Sequence, residues 1–231
     1  MLTTLLTSLP LIVVIACASA AMLYACVYLV LFAENRRYWQ ARFRQMAPTS
    51  DEYPRCLLVV PCKGLEHGLR DNLAGLLRQD YPNYEVTFVV EDGRDPAIPI
   101  IREVIREHRF VTARLLIAGR ADVSGQKVHN LQAATSDLKP EIEILVFADS
   151  DAGTKNTWLR WMTGGIGRER LGARTGYRWM TPLDKRVPTL IGCSINNAVA
   201  SMFGNGGHFL VWGGAWAIHR RVFDAASLRE T

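Results

Sequence analysis

Four short apolar runs, each separated from the next by a stretch of helical periodicity, constrain this chain more than any other feature. The runs are "CLLVV" (56–60), the apolar part of "YEVTFVVEDG" (84–93), "ARLLIAG" (113–119) and "EILVFA" (143–148). They are apolar throughout rather than alternating, as strands are in a parallel sheet covered on both faces. Between them, "LRDNLAGLLRQDY" sets Leu69, Leu73, Leu76 and Leu77 on one helical face. "IPIIREVIREH" does the same with Ile98, Ile101 and Ile105, and "QKVHNLQAATSDL" with Val128, Leu131 and Leu138. Connections of this length between parallel strands are right-handed crossover helices. The expected fold class is therefore α/β: a doubly wound, mostly parallel, Rossmann-like sheet.

The N-terminus adds a second constraint. Residues 1–33 carry no Asp, Glu, Lys or Arg. The segment "LIVVIACASAAMLYACVYLVLF" is long enough to cross a bilayer core, which takes about 20 residues. A signal peptide would need a positive n-region and a shorter apolar core. The expectation is an N-terminal transmembrane anchor over 1–33, single-pass in this chain. Arg36, Arg37, Arg42 and Arg44 follow it, and by the positive-inside rule they place the rest of the chain in the cytoplasm. Residues 34–54 are polar and read as a juxtamembrane linker.

The remaining 177-odd positions have room for one α/β domain, by the usual domain sizes of roughly 100–200 residues. A net charge of +5, from 27 basic and 22 acidic residues, is mild. It does not imply a nucleic-acid partner, and no nucleic-acid-reading motif is present. Five cysteines with no CxxC spacing suggest neither a disulfide frame nor a zinc site, and a reducing compartment.

Ligands of doubly wound sheets bind beyond the carboxyl ends of the strands. The candidate residues sit at such ends: Pro61 and Lys63 after the first run, Glu91 and Asp92 after the second, Asp149 and Asp151 after the fourth. Two carboxylates one residue apart repel, and a hard divalent ion, Mg²⁺ or Mn²⁺, would relieve that repulsion while binding substrate phosphates. The alternative is an Asx-turn or helix cap near Lys155. Asp92 can accept from a base N–H or a ribose hydroxyl, or it can serve an Asp-Gly turn. Lys127 follows "SG" at a helix start, where a cation and free N–H groups hold phosphate; otherwise it is a solvated lysine. His129, His208 and His219 have no neighbour at metal spacing and read as structural. Trp179, in "GYRWMTP", offers a flat ring for an acceptor pocket.

Beyond Thr154 the pattern loosens. "NTWLRWM" reads as a helix and "GARTGYRWMTP" as a strand followed by a turn. Val187 to Ile218 contains no formally charged residue, yet Asn196, Asn197, Asn205 and several glycines make it a poor span. A partly buried helix, "TLIGCSINNAVASMF", followed by a glycine-rich loop facing the membrane or an apolar substrate, is expected there.

The motifs "VVPCKG", "LLRQDYPNYEVTFVVEDGRDPA", "GQKVHNL" and "FADSDA", in that order, resemble family 2-type inverting glycosyltransferases of the GT-A fold. The nearest branch is the ceramide glucosyltransferase-like one with its bacterial relatives. "GYRWMTP" and "GGAWAIHRRVFDAA" extend the resemblance over residues 55–226. The resemblance implies a UDP-sugar donor, a lipid or glycan acceptor at the membrane, and Mg²⁺ or Mn²⁺. It implies Asp92 at the uracil or ribose, and Lys127 near the nucleotide or diphosphate. Asp149 and Asp151 become the DxD, with Asp151 the stronger metal ligand, and Gly213 and Gly214 flank the acceptor. Ceramide glucosyltransferases often have Asp-Ser-Gly where this chain has Asp149-Ser150-Asp151. The resemblance divides the domain into a nucleotide-sugar-binding half (55–154) and an acceptor-side half (155–231). It puts the catalytic base beyond Thr231, so the acceptor half is expected to be incomplete. The alternative is a truncated, non-catalytic nucleotide-sugar-binding membrane module.

Overall fold

A computed structural model describes residues 2–45, 53–167, 171–177, 179–199, 211 and 213–228. The chain divides into two compact units. One comprises Met1–Ala47 and Met180–Phe209, the other Pro48–Trp179 and Leu210–Thr231. In chain order, α1 (Leu2–Gln45) precedes β1 (Cys56–Pro61), α2 (Leu69–Leu77), β2 (Tyr84–Val90) and α3 (Ile98–Glu107). Then come β3 (Thr112–Ile117), α4 (Gln126–Thr135), β4 (Ile144–Ala148), α5 (Trp158–Thr163) and β5 (Ala173–Thr175). The chain continues with α6 (Val187–Val199), β6 (Ala215–His219) and α7 (Arg220–Ala225).

The larger unit holds a six-stranded sheet in the order β3-β2-β1-β4-β6-β5. β1 pairs in parallel with β2 and with β4, and β2 with β3. β6 runs antiparallel to both β4 and β5. The strand order reverses at β1, since β2 and β3 lie to one side and β4 to the other. Sheets of this kind bind a ligand beyond the carboxyl ends of the strands that flank such a reversal, here β1 and β4.

Every residue of β2 and β4 is buried. Successive side chains of β1 go to opposite faces. Leu58 and Val60 join Leu73, Leu76, Leu77, Phe88, Ile101 and Leu159 beneath α2, α3 and α5. Leu57 and Val59 join Ile142, Leu145, Phe147, Ile218 and Phe223 on the other face. Coverage on both sides is why these runs have no polar alternation.

Three expectations need correction, and a fourth holds only in part. β3 is the edge strand, not doubly covered: Thr112, Arg114 and Ile117 are exposed. It has one neighbour, β2, and Arg114 donates from Nε to Oγ1 of its register partner Thr87 at 3.0 Å. Val128 is exposed rather than buried on α4. The first twelve residues of the supposed linker, 34–45, continue α1 as helix. Finally, α6 is partly buried as expected, but on its more polar side, through Thr189, Cys193, Asn196 and Asn197, while its large apolar side chains, among them Val187, Ile191 and Ile195, are the exposed ones. The glycine-rich stretch after it, with Asn205 and His208, lies outside the described residues.

Candidate functional site

Parallel pairing brings the strand ends to one edge. Pro61, the last residue of β1, is opposite Val89, and Val59 is opposite Phe147 of β4. Just past these positions stand Lys63, Glu91 and Asp149. Lys63 Nζ lies 3.6 Å from Glu91 Oε2. The loop carrying Lys63 is held by Asp95, whose carboxylate accepts from Gly64 N–H at 3.0 Å and from Ala97 N–H at 2.8 Å.

The triplet Asp149-Ser150-Asp151 is intermediate, buried and exposed in turn. Its middle residue is the anchor: Ser150 Oγ donates to Glu66 Oε2 at 2.8 Å. The backbone is fixed from the other side, where Asp149 N–H donates to Gly214 O at 3.0 Å. This bond extends the β4–β6 ladder by one residue past Ala148 and Ala215, and it seats the Gly213-Gly214 turn beside the acidic pair. The acids do not cap α5, which begins at Trp158 after Thr157 and has no side-chain cap.

Lys127 is the second residue of α4 and forms an ion pair and hydrogen bond with Asp149. A glutamine fixes the loop leading into that helix. Gln126 Oε1 accepts from Ala121 N–H at 2.9 Å, and its Nε2 donates to Gly119 O and Asn130 Oδ1, each at 2.8 Å. Lys127 thus gives Asp149 a positive neighbour within the fold. His129 Nε2 bonds Ala118 O at 3.0 Å, and His219 Nδ1 accepts from Arg221 N–H at 3.1 Å as the cap of α7. Both histidines thus bond to the backbone within the fold.

Asp92 makes turn contacts with Arg94. It accepts from Arg94 N–H at 2.8 Å and from the Arg94 guanidinium at 3.0 and 3.3 Å. Those Arg94 bonds hold its carboxyl below the ordinary carboxylate range. Trp179 is exposed and meets Tyr177 edge-on, with ring centroids 5.8 Å apart. The acids, Lys127, Lys63 and Gly214 thus share one edge, whereas the contacts of Trp179 do not tie it there.

Among the described residues no group of three His, Cys, Asp or Glu is arranged to hold a metal. A magnesium-type ion needs only one or two carboxylates, with phosphates and waters completing its shell. The hard oxygens of Asp149 and Asp151 fit that requirement.

Two supporting residues carried no signal in the sequence. Glu66 holds Ser150 from 84 positions away. Gln79 lies in the core and bonds Lys155 O at 3.0 Å and Leu159 N–H at 2.9 Å, so it ties the segment after Asp151 to α2. Long-range partnerships of this kind leave no local spacing to read.

A mostly parallel sheet with its acids at the β1/β4 switch point and an antiparallel strand closing the far side is the GT-A class of glycosyltransferase fold. The same fold is found in a mannosyltransferase from Pyrobaculum calidifontis, solved in complex with GDP-Man and Mn²⁺. That likeness has a TM-score of 0.56 at 20% identity, over 86% of this chain and 55% of that one. Residues 13–197 match glycosyl transferase family 21, and the chain belongs to that family. It is 27% identical over 177 residues to a ceramide glucosyltransferase of Gibberella zeae, covering 70% of this chain. It is 32% identical over 98 residues to one of Candida albicans, covering 40% of this chain. The matched regions are 32% and 16% of those two proteins' lengths.

Proposed function

We propose that this chain provides the donor side of a membrane-anchored, inverting glycosyltransferase that takes a UDP-sugar and transfers its hexose to a lipid or glycan. One observation carries the reading: Lys127, Asp149 and Gly214 meet at the carboxyl end of β4, beside the point where the strand order reverses. A nucleotide diphosphate lying beyond these strand ends would meet Lys127 and the start of α4, a pairing suited to phosphate. Asp92 and Glu91 close the β2 side, where a ribose or base would lie. Asp149 and Asp151 would hold Mg²⁺ or Mn²⁺, which when bound neutralises charge on the departing diphosphate. The anchor is α1, whose segment Leu11–Glu34 is apolar and long enough to cross a bilayer. On this reading the sheet unit faces the cytoplasm and the acceptor arrives at the membrane surface.

The test is calorimetric titration of UDP-glucose in the presence of Mn²⁺, with a turnover assay alongside to separate binding from transfer. Asp151→Ala is expected to abolish the manganese-dependent part of binding while the far-UV dichroism stays unchanged. Unaltered binding by a folded variant would remove Asp151 from the site.

A further inference from the structure

α6 presents a one-sided apolar stripe. Val187, Leu190, Ile191 and Ile195 stand at i, i+3, i+4 and i+8, one face of a helix. All four are 41–65% exposed, and Leu183 just ahead of them is more exposed still. The opposite face carries Cys193 and Asn196, both partly buried. Asn197 is engaged within the unit: its Oδ1 accepts from Met180 N–H and its Nδ2 donates to Met180 O, each at 3.0 Å. Single exposed apolar residues are ordinary, but a contiguous stripe on one helix marks a surface that is covered by something.

The charges around the stripe identify the cover. No Asp, Glu, Lys or Arg occurs from Val187 to Ile218, and Lys185 and Arg186 stand immediately before the helix. Arg186 is largely exposed, and its pairing with Asp184 is a loose 3.8 Å. Cations at the end of an uncharged apolar face suit a layer of lipid phosphates over acyl chains. The thirteen described residues of α6 span about 20 Å against a bilayer core of about 30 Å, and Asn196 and Asn197 among them are polar residues that do not suit a spanning helix. α6 also belongs to the same compact unit as α1, which carries the apolar segment Leu11–Glu34.

We propose that α6 is an interfacial helix: its Val187–Leu190–Ile191–Ile195 face lies in the acyl boundary of a phospholipid bilayer, with Lys185 and Arg186 at the headgroup phosphates. The proposal rests on α1 being a membrane anchor and is independent of the donor or the reaction. It gives the chain a second membrane contact, one that lies on the surface rather than crossing it.

The full chain would be reconstituted in vesicles of phosphatidylcholine and phosphatidylglycerol, with Cys17, Cys26 and Cys193 replaced by Ser. Cys56 and Cys62 can remain, because both are buried and burial pushes the Cys62 thiol up to about 12, so neither supplies thiolate for labelling at neutral pH. Nitroxide labels are then placed singly through Ile191→Cys, Ile195→Cys and Asn196→Cys. Collisions with oxygen, which partitions into lipid, are compared with collisions with a water-soluble nickel chelate. The expected oxygen-to-nickel ratio is several-fold higher at positions 191 and 195 than at 196. Equal ratios on the two faces overturn the proposal, as does shielding of 191 and 195 from both reagents, which would mean a protein cover. A parallel sample labelled at the native Cys26 reports on the anchor. A lipid-exposed Cys26 with water-exposed α6 labels defeats the interfacial helix alone, whereas a water-exposed Cys26 defeats the anchor and this proposal together.

Discussion

Replacing Gln79 by leucine should unfold the sheet unit more readily by about 1–3 kcal/mol, the cost of orphaning one buried donor. Gln79 is 7% exposed and connects three elements. Its Nε2 donates to Gly75 O at 2.8 Å, Lys155 O at 3.0 Å and Thr154 Oγ1 at 3.3 Å. Its Oε1 accepts from Leu159 N–H at 2.9 Å. These bonds are not equal in worth. Gly75 O also accepts from Arg78 N–H, and Lys155 O from Trp158 N–H, so both carbonyls keep a donor in the variant. Leu159 N–H lies in the first turn of α5, where no intrahelical carbonyl reaches it, and Leu159 is fully buried. Its loss dominates the estimate. The measurement is urea unfolding of the full chain in detergent micelles, followed through Trp158 and Trp161 on α5. Gln79→Glu provides the contrast, since it keeps an acceptor for Leu159 N–H but turns a carboxylate towards two carbonyl oxygens. It should be destabilised at neutral pH and recover in part when acid protonates the carboxyl into a donor. A Gln79→Leu variant as stable as the parent, or a Gln79→Glu variant indifferent to pH, would refute the bonding account and leave Gln79 as filler.

Lys127→Met should weaken UDP binding by about 10-fold or more, the usual worth of a hydrogen bond to a charged group; unchanged affinity in the titration would detach Lys127 from the phosphate role. Gly167 has φ +85°, and a Cβ there would stand 2.7 Å from the His219 ring. Gly167→Ala should cost about 1–3 kcal/mol by overpacking and release the cap of α7, read as a lower urea midpoint. Alkali should destabilise the sheet unit. Burial pushes Cys62 and Tyr84 up to about 12, and it raises Cys56 and Tyr81 as well. Above the ordinary thiol value of 9.0 the unfolded chain loses protons that the native state keeps, so stability falls as pH rises. Each group contributes about 1.4 kcal/mol per pH unit once past its unfolded value. A urea midpoint that stays level well above that value would contradict the burial of these groups.

What could be read from the sequence follows from where each element obtains its stability. β1, β2 and β4 are covered on both faces, so their apolar runs are local facts and were legible. β3 has a similar run, but Arg114 within it marks an edge, and an edge is a property of neighbours rather than of the run itself. β6 went unread because "AWAIH" has no strong local pattern. Its place is set by pairing with β4 and by Trp216 stacking on Phe147, with ring centroids 4.2 Å apart. The same division holds at the site. That Asp149 and Asp151 stand at the end of a buried strand was legible, because any acid there must find a partner or a solvent edge. Which partner was a question only the fold answers: Lys127 reaches Asp149 because α4 begins where the loop after β3 delivers it, a loop whose shape Gln126 sets. Ser150 completes the point. As the middle of an acidic triplet it attracts no notice, yet it is the buried member. Glu66 holds it in place while Asp151 stays exposed. The triplet therefore presents its acids because its neutral residue is tied down, and the residue that ties it lies in the loop after β1, the strand that pairs with β4.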